Sequence, residues 1–92
     1  MCEIQIESVS SQRLANKIYV ILQCTLLNGM VHKGQSISLP YSHELNMTIP
    51  IDEIEKNQYQ KKMILIKVLC EDESDVDFLS SLDLEGEILS VK

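Results

Sequence analysis

Residues 17–27, Lys-Ile-Tyr-Val-Ile-Leu-Gln-Cys-Thr-Leu-Leu, constrain the fold more than any other segment. Ile18, Val20, Leu22, Cys24 and Leu26 fall on one side of an extended chain, and Tyr19, Ile21, Gln23, Thr25 and Leu27 on the other. This is the longest strand signal in the chain, and its β-branched residues favour the extended state. The second side is also largely apolar, so this strand has two faces to cover rather than one. Asn28-Gly29 follows, the dipeptide most suited to a two-residue hairpin turn because both central positions take positive φ. A short return at Met30-Val31, a second turn at His32-Lys33-Gly34-Gln35 and a strand at Ser36–Leu39 ended by Pro40 complete the predicted Lys17–Pro40 unit.

The remaining segments supply strands to close around it. Cys2, Ile4 and Ile6 alternate with Glu3, Gln5 and Glu7, giving a half-buried strand with one wet face. Residues 8–16 lose that period and are predicted as a connection, and residues 41–46 as a polar loop. Met47, Ile49 and Ile51 mark a further strand that Pro50 assigns to an edge or a bulge, with Ile54 continuing its apolar positions. Residues 58–62 are a polar approach to Met63–Cys70, whose nearly unbroken apolar character predicts a strand covered on both sides, with Lys67 snorkelling outward. Ser74, as an N-cap, opens one or two helical turns through Leu82, and Glu85–Val91 ends the chain as a short strand. The expected fold is all-β, a small closed or partly open antiparallel barrel of six to seven strands with one short helical segment. Residues 1–92 fit one domain.

Composition narrows the function. The net charge is −6, from 14 acidic and 8 basic residues, which opposes unaided binding to phosphates or anionic membranes. Residues 71–92 concentrate eight acids, readable as a solvated rim or as an acidic surface for a basic partner. The basic residues are spread thinly, with no aromatic stacking pair among them. Cys2, Cys24 and Cys70 form no CxxC pair, and neither a secretory leader nor a membrane-length apolar run occurs, so reduced thiols in the cytoplasm are expected.

The order of strands and turn glycines resembles the second, β-barrel domain of translation GTPases of the elongation factor Tu type. The resemblance rests on Ile18–Gly29, Val31–Gly34 and Ser36–Leu39. It continues through Ile51-Asp-Glu-Ile54-Glu55 against the family's V-x-x-I-E, and through residues 63–70 as the strand after its G-D-x-V. Asp75-Val76, Gly86 and Leu89 stand against its E-D-I-x-x-G-x-x-L ending. It implies a barrel that packs on neighbouring domains and touches RNA. No phosphate-binding GxxxxGK[ST] loop accompanies it in residues 1–92.

Residues that could carry chemistry are few. His43 with Glu44 could orient a base, but a solvent-exposed loop pair is the better account of them. Cys24 or Cys70 with His32 has only composition in its favour as a dyad, and the three thiols with His32 lack the close chelating pair a metal needs. From Asp72, a calcium loop would place Gly sixth and Glu twelfth, where this chain has Asp77 and Asp83. No catalytic, cofactor-binding or metal site is therefore assigned, and the chain is expected not to be an enzyme. What is left is the second apolar face, Tyr19, Ile21 and Leu27, with Met63, Leu65 and Leu69 as neighbours. Either the 74–82 helix and the adjoining loops cover it, or it docks a protein. The expected function is a non-enzymatic interaction module, standing alone, that binds a protein partner or a second copy of itself. The alternative is an RNA- or ribosome-associated accessory related to translation factors.

Overall fold

The computed structural model describes residues 2–39 and 47–92; Pro40, the 41–46 loop and the His43-Glu44 pair lie outside the described residues. Among the described residues, seven antiparallel strands and one helix follow one another as β1 (Cys2–Leu14), β2 (Lys17–Asn28), β3 (Ser36–Leu39), β4 (Met47–Pro50), β5 (Glu53–Lys56), β6 (Met63–Cys70), α1 (Glu73–Ser81) and β7 (Ile88–Val91). The ladder order is β4-β3-β7-β1-β2-β6-β5. Its two terminal strands, β4 and β5, are neighbours in the chain, separated only by Ile51-Asp52. That dipeptide forms the corner of a barrel-like wrap. On one side Gly34 N–H donates to Ile51 O at 3.1 Å and Ile51 N–H to Gln35 O at 2.8 Å; on the other Asp52 N–H donates to Lys67 O at 3.0 Å. The Asp52 carboxylate then accepts from Leu69 N–H at 2.6 Å, supplying a side-chain acceptor where the backbone has turned away from β6. β4 and β5 do not pair with each other, so the sheet is bent round without a closed ladder.

The predicted face of β2 points inward: Val20, Leu22 and Cys24 are buried with Cys2, Ile4 and Ile6 from β1 and Ile64, Ile66 and Val68 from β6. Ile37, Leu39, Ile49, Ile51, Leu89 and Val91 complete the same aliphatic core. Helix α1 adds Val76 and Leu79 to that cluster, together with Leu84 after it. It therefore docks on the core side of the sheet, beside the inward-facing Val20, Val68 and Cys70.

Four expectations require correction. Residues 8–16 are not a connection, because β1 continues to Leu14 and pairs with β2 throughout. The register slips between Ile6 and Ser8, leaving Glu7 as an extra residue, a β-bulge. The bulge moves the inward positions from even to odd numbers, and beyond it only Val9 is apolar enough to pack on the core. The period was broken by the bulge, and the strand runs on to a tight turn at Ala15-Asn16 with Ala15 at φ +53°.

The second correction concerns Asn28-Gly29, which makes no hairpin: β2 pairs with β1 and β6, while β3 pairs with β4 and β7. Asn28 is engaged sideways, its Oδ1 accepting from Glu3 N–H at 3.1 Å and its Nδ2 donating to Glu3 Oε1 at 2.7 Å. Gly29, at φ +71°, then turns the chain away, and residues 30–35 cross to the other half of the sheet. The second turn forms as expected, with Gln35 N–H donating to His32 O at 3.2 Å and Gly34 at φ +96°. Third, Met63–Cys70 is covered on one side only: Ile64, Ile66, Val68 and Cys70 are buried, whereas Leu69 is exposed and Met63, Leu65 and Lys67 are half-buried. Fourth, the N-cap is Asp72, not Ser74; Asp72 Oδ1 accepts from the Ser74 and Asp75 amides at 2.9 and 3.3 Å, so the helix starts two residues earlier.

Candidate functional site

The outer face of β2 and β6 carries the residues selected from the sequence. Cross-strand register sets them in rows: Gln12 beside Tyr19 beside Leu69, then Ser10, Ile21, Lys67 and Glu53, then Ser8, Gln23, Leu65 and Glu55, then Thr25 beside Met63. Tyr19, Ile21, Met63 and Leu65 thus share one surface, as adjacent strands with odd-numbered outward positions require. Leu27 sits apart at the end of it. The β1–β2 register jumps from Ile4↔Leu26 to Glu3↔Asn28, so Leu27 is the extra residue of a second bulge, with 42% of its surface exposed. Leu69, 44% exposed, stands opposite Tyr19 and belongs to the surface more fully than Leu27 does.

Polar pairs frame this apolar strip. Ser8 Oγ donates to Gln23 Oε1 at 3.2 Å, and Thr25 Oγ1 to Glu7 Oε1 at 2.9 Å. Lys67 lies across the strip with its ammonium 3.1 Å from Glu55 Oε1, its stem covering apolar surface while its head stays paired. α1 does not supply the cover: its buried residues, Val76 and Leu79, join the core on the opposite side of the sheet. Arg13 forms an ion pair with Glu73, which fastens the β1–β2 hairpin tip to the start of the helix.

The candidate chemical groups are not assembled. Cys2, Cys24 and Cys70 are buried free thiols. Burial pushes the Cys24 thiol up to about 12, with the Glu7 carboxylate adding to the effect, and burial likewise raises Cys2 and Cys70. Such thiols act as small core hydrophobes, since the reactive form is the thiolate. His32 is exposed on its turn. Among the described residues no three His, Cys, Asp or Glu side chains converge on a common point. The acids at 72–75 are spent on helix α1: Asp72 caps it, and Asp75 Oδ2 accepts from Glu71 N–H at 3.0 Å. Hydrogen bonds from Ser74 and from the Ser74 and Asp75 amides hold the Asp72 carboxyl below its usual range.

One feature of the β5–β6 turn was not legible as a site. Lys56, Lys61 and Lys62 bracket this turn along the chain, and Tyr59 within it is 92% exposed. Asn57 Oδ1 accepts from the Tyr59 and Gln60 amides at 2.8 and 3.0 Å, folding the turn so that the ring stands out. Asn57 N–H donates to Met63 O and Met63 N–H to Gln60 O, which anchor the base of the turn. The sequence signal for this turn was the Lys-Asn-Gln-Tyr-Gln-Lys-Lys string itself, which sets a single aromatic residue, though no stacking pair, among lysines.

Comparison of the chain with models of protein families, with curated proteins and with solved structures found no match in any of the three. No helix among the described residues is long and apolar enough to cross a membrane.

Proposed function

We propose that this chain is a non-enzymatic interaction module that docks a protein, either a partner or a second copy, on the outer face of β2 and β6. The observation that carries the reading is the pair of adjacent strands whose outward positions include the apolar Tyr19, Ile21, Leu65 and Leu69, while the only helix among the described residues packs on the other side of the sheet. An apolar strip rimmed by polar pairs has the anatomy of a protein interface, with an aromatic side chain and a long aliphatic one opposed near its end. The likeness to the second barrel of translation GTPases supports the same reading, because that barrel works by packing on its neighbours. The test is light scattering over a range of concentrations, with affinity capture by the wild type and by an Ile21→Lys/Leu69→Lys variant. The reading expects self-association, or a captured protein, that the variant loses while its circular dichroism is unchanged. A monomer that captures the same proteins with and without the two substitutions contradicts it.

A second reading, RNA contact, has one observation in its favour: the ordered β5–β6 turn presents Tyr59 between lysines, the combination that single-stranded nucleic acid uses for stacking and phosphate contact. Tyr59→Ala should then weaken binding of a labelled single-stranded RNA at physiological salt. Equal binding by wild type and variant removes this reading.

A further inference from the structure

The bent sheet leaves a seam between the free edge of β5 and the 29–35 connection. At its inner end the seam is fastened by the Gly34–Ile51–Gln35 backbone bonds and by Lys33 Nζ, 3.3 Å from Glu53 Oε1. Towards the end of β5 no such fastening continues, and the seam opens into a cavity of about 250 Å³. Leu26, Met30, Val31 and Ile64 form its apolar part, and Lys56, Asn57 and Lys61 its polar part. Val31 and Ile64 belong to the buried core, so the cavity reaches the barrel interior. Met30 is 59% exposed, an unbranched and adaptable side chain at the mouth.

The charge of this site departs from that of the chain. Three of the eight basic residues, Arg13, Lys33 and Lys67, are taken up in ion pairs. Lys56 and Lys61 are in no ion pair among the described residues, and no carboxylate lines the cavity. In a chain of net charge −6, two uncompensated ammonium groups sit beside an apolar pocket that opens into the core. We propose that this cavity is a binding site for a small amphiphilic organic anion, with an aliphatic or aromatic body on Leu26, Val31 and Ile64 and an anionic head on Lys56 and Lys61. The pairing follows from elementary chemistry: the apolar lining rewards removal of hydrocarbon from water, and the two cations select the sign of the head group. Asn57 adds a neutral polar group at the same mouth. The volume falls below the roughly 300–1,000 Å³ of sites for drug-sized ligands, so the occupant is small. None of the cavity's lining residues is Tyr19, Ile21, Leu65 or Leu69 of the outer face, and binding there does not depend on docking.

The experiment is a titration followed by ¹H–¹⁵N spectra, with octanoate and octylammonium as probes of equal chain length and opposite charge. Octanoate is expected to give saturable shifts centred on Leu26, Val31, Lys56, Lys61 and Ile64, and to bind about five- to tenfold more tightly than octylammonium. Butyrate should bind more weakly than octanoate. A Lys56→Glu/Lys61→Glu variant, folded by its own spectrum, should reverse the head-group preference. Saturable shifts located elsewhere, equal affinity for the two head groups, or an unchanged preference in the variant would each overturn the assignment. So would the absence of saturable shifts.

Discussion

The two ends of β6 meet opposite treatments. At Cys70 the barrel end is plugged: α1 lays Val76 and Leu79 into the core, Leu84 fills in behind them, and Asp72 and Asp75 tie the entry to the helix. At Met63 no helix among the described residues covers the end. A hydrogen-bonded turn with three lysines stands there, and the seam beside β5 opens to the core. One end is thus covered by a helix and acidic, the other open beside β5 and basic. Packing governs the first, and access governs the second.

This contrast predicts that equivalent truncations are unequal. Leu84 is almost fully buried at the plugged end, so Leu84→Ala should cost about 2–5 kcal/mol of stability in denaturant titration. Met30→Ala, at the open end beside an existing cavity, should stay within about 0.5 kcal/mol. Comparable losses at both positions would break the distinction.

A smaller effect sharpens it through pH. Asp72 has its folded-state pKa lowered by the capping hydrogen bonds, so its contribution is present above the ordinary carboxylate range and is lost as pH falls through the depressed value. Asp72→Ala should lower the melting temperature at neutral pH and flatten the acid limb of the stability curve. Asp72→Asn, which keeps an acceptor for the Ser74 and Asp75 amides, should retain most of the melting temperature. In the alkaline direction the sign is reversed. Cys24 keeps its proton in the folded state up to about 12, while an unfolded thiol ionises near 8.5, so stability should decline progressively across that interval. Cys24→Ala should remove that share of the decline. Labelling of the three thiols by an aromatic disulfide at neutral pH should be slow in the native protein and rapid after denaturation.

A modest change is expected at the corner of the wrap. Asp52→Ala removes the acceptor for Leu69 N–H, a partly solvated bond whose loss should cost about 0.5–1.5 kcal/mol. Hydrogen exchange at Leu69 should accelerate more than at Ile66, whose pairing with Ile54 and Leu22 is untouched.

Much of this arrangement could be read from residue order, and the failures have identifiable causes. β3 follows from alternation, β2 and β6 from long apolar runs, β7 was expected within Glu85–Val91, and Pro50 lies at the ladder edge, one of the two places expected for it. The extension of β1 was hidden because the Glu7 bulge shifts the phase, while the strand beyond it is held by backbone pairing with few apolar side chains to announce it. Asn28-Gly29 misled because a local turn preference yielded to the long-range clasp between Asn28 and Glu3. The outer strip was legible because β2 alternates apolar residues on both sides, although the bulge that sets Leu27 apart was not. The cavity was illegible for a different reason: it takes residues from β2, the 29–31 segment, β5, its turn and β6, and only the bent sheet brings these together.

The most direct test of the proposed docking face is light scattering on the wild type and on Ile21→Lys/Leu69→Lys, extended to a mixture with any protein the wild type captures. The docking account predicts a complex, homomeric or heteromeric, that disappears in the variant while the folded spectrum persists. A complex of equal mass and stability in the variant, or a wild type that remains a monomer and captures nothing the variant does not, would contradict it.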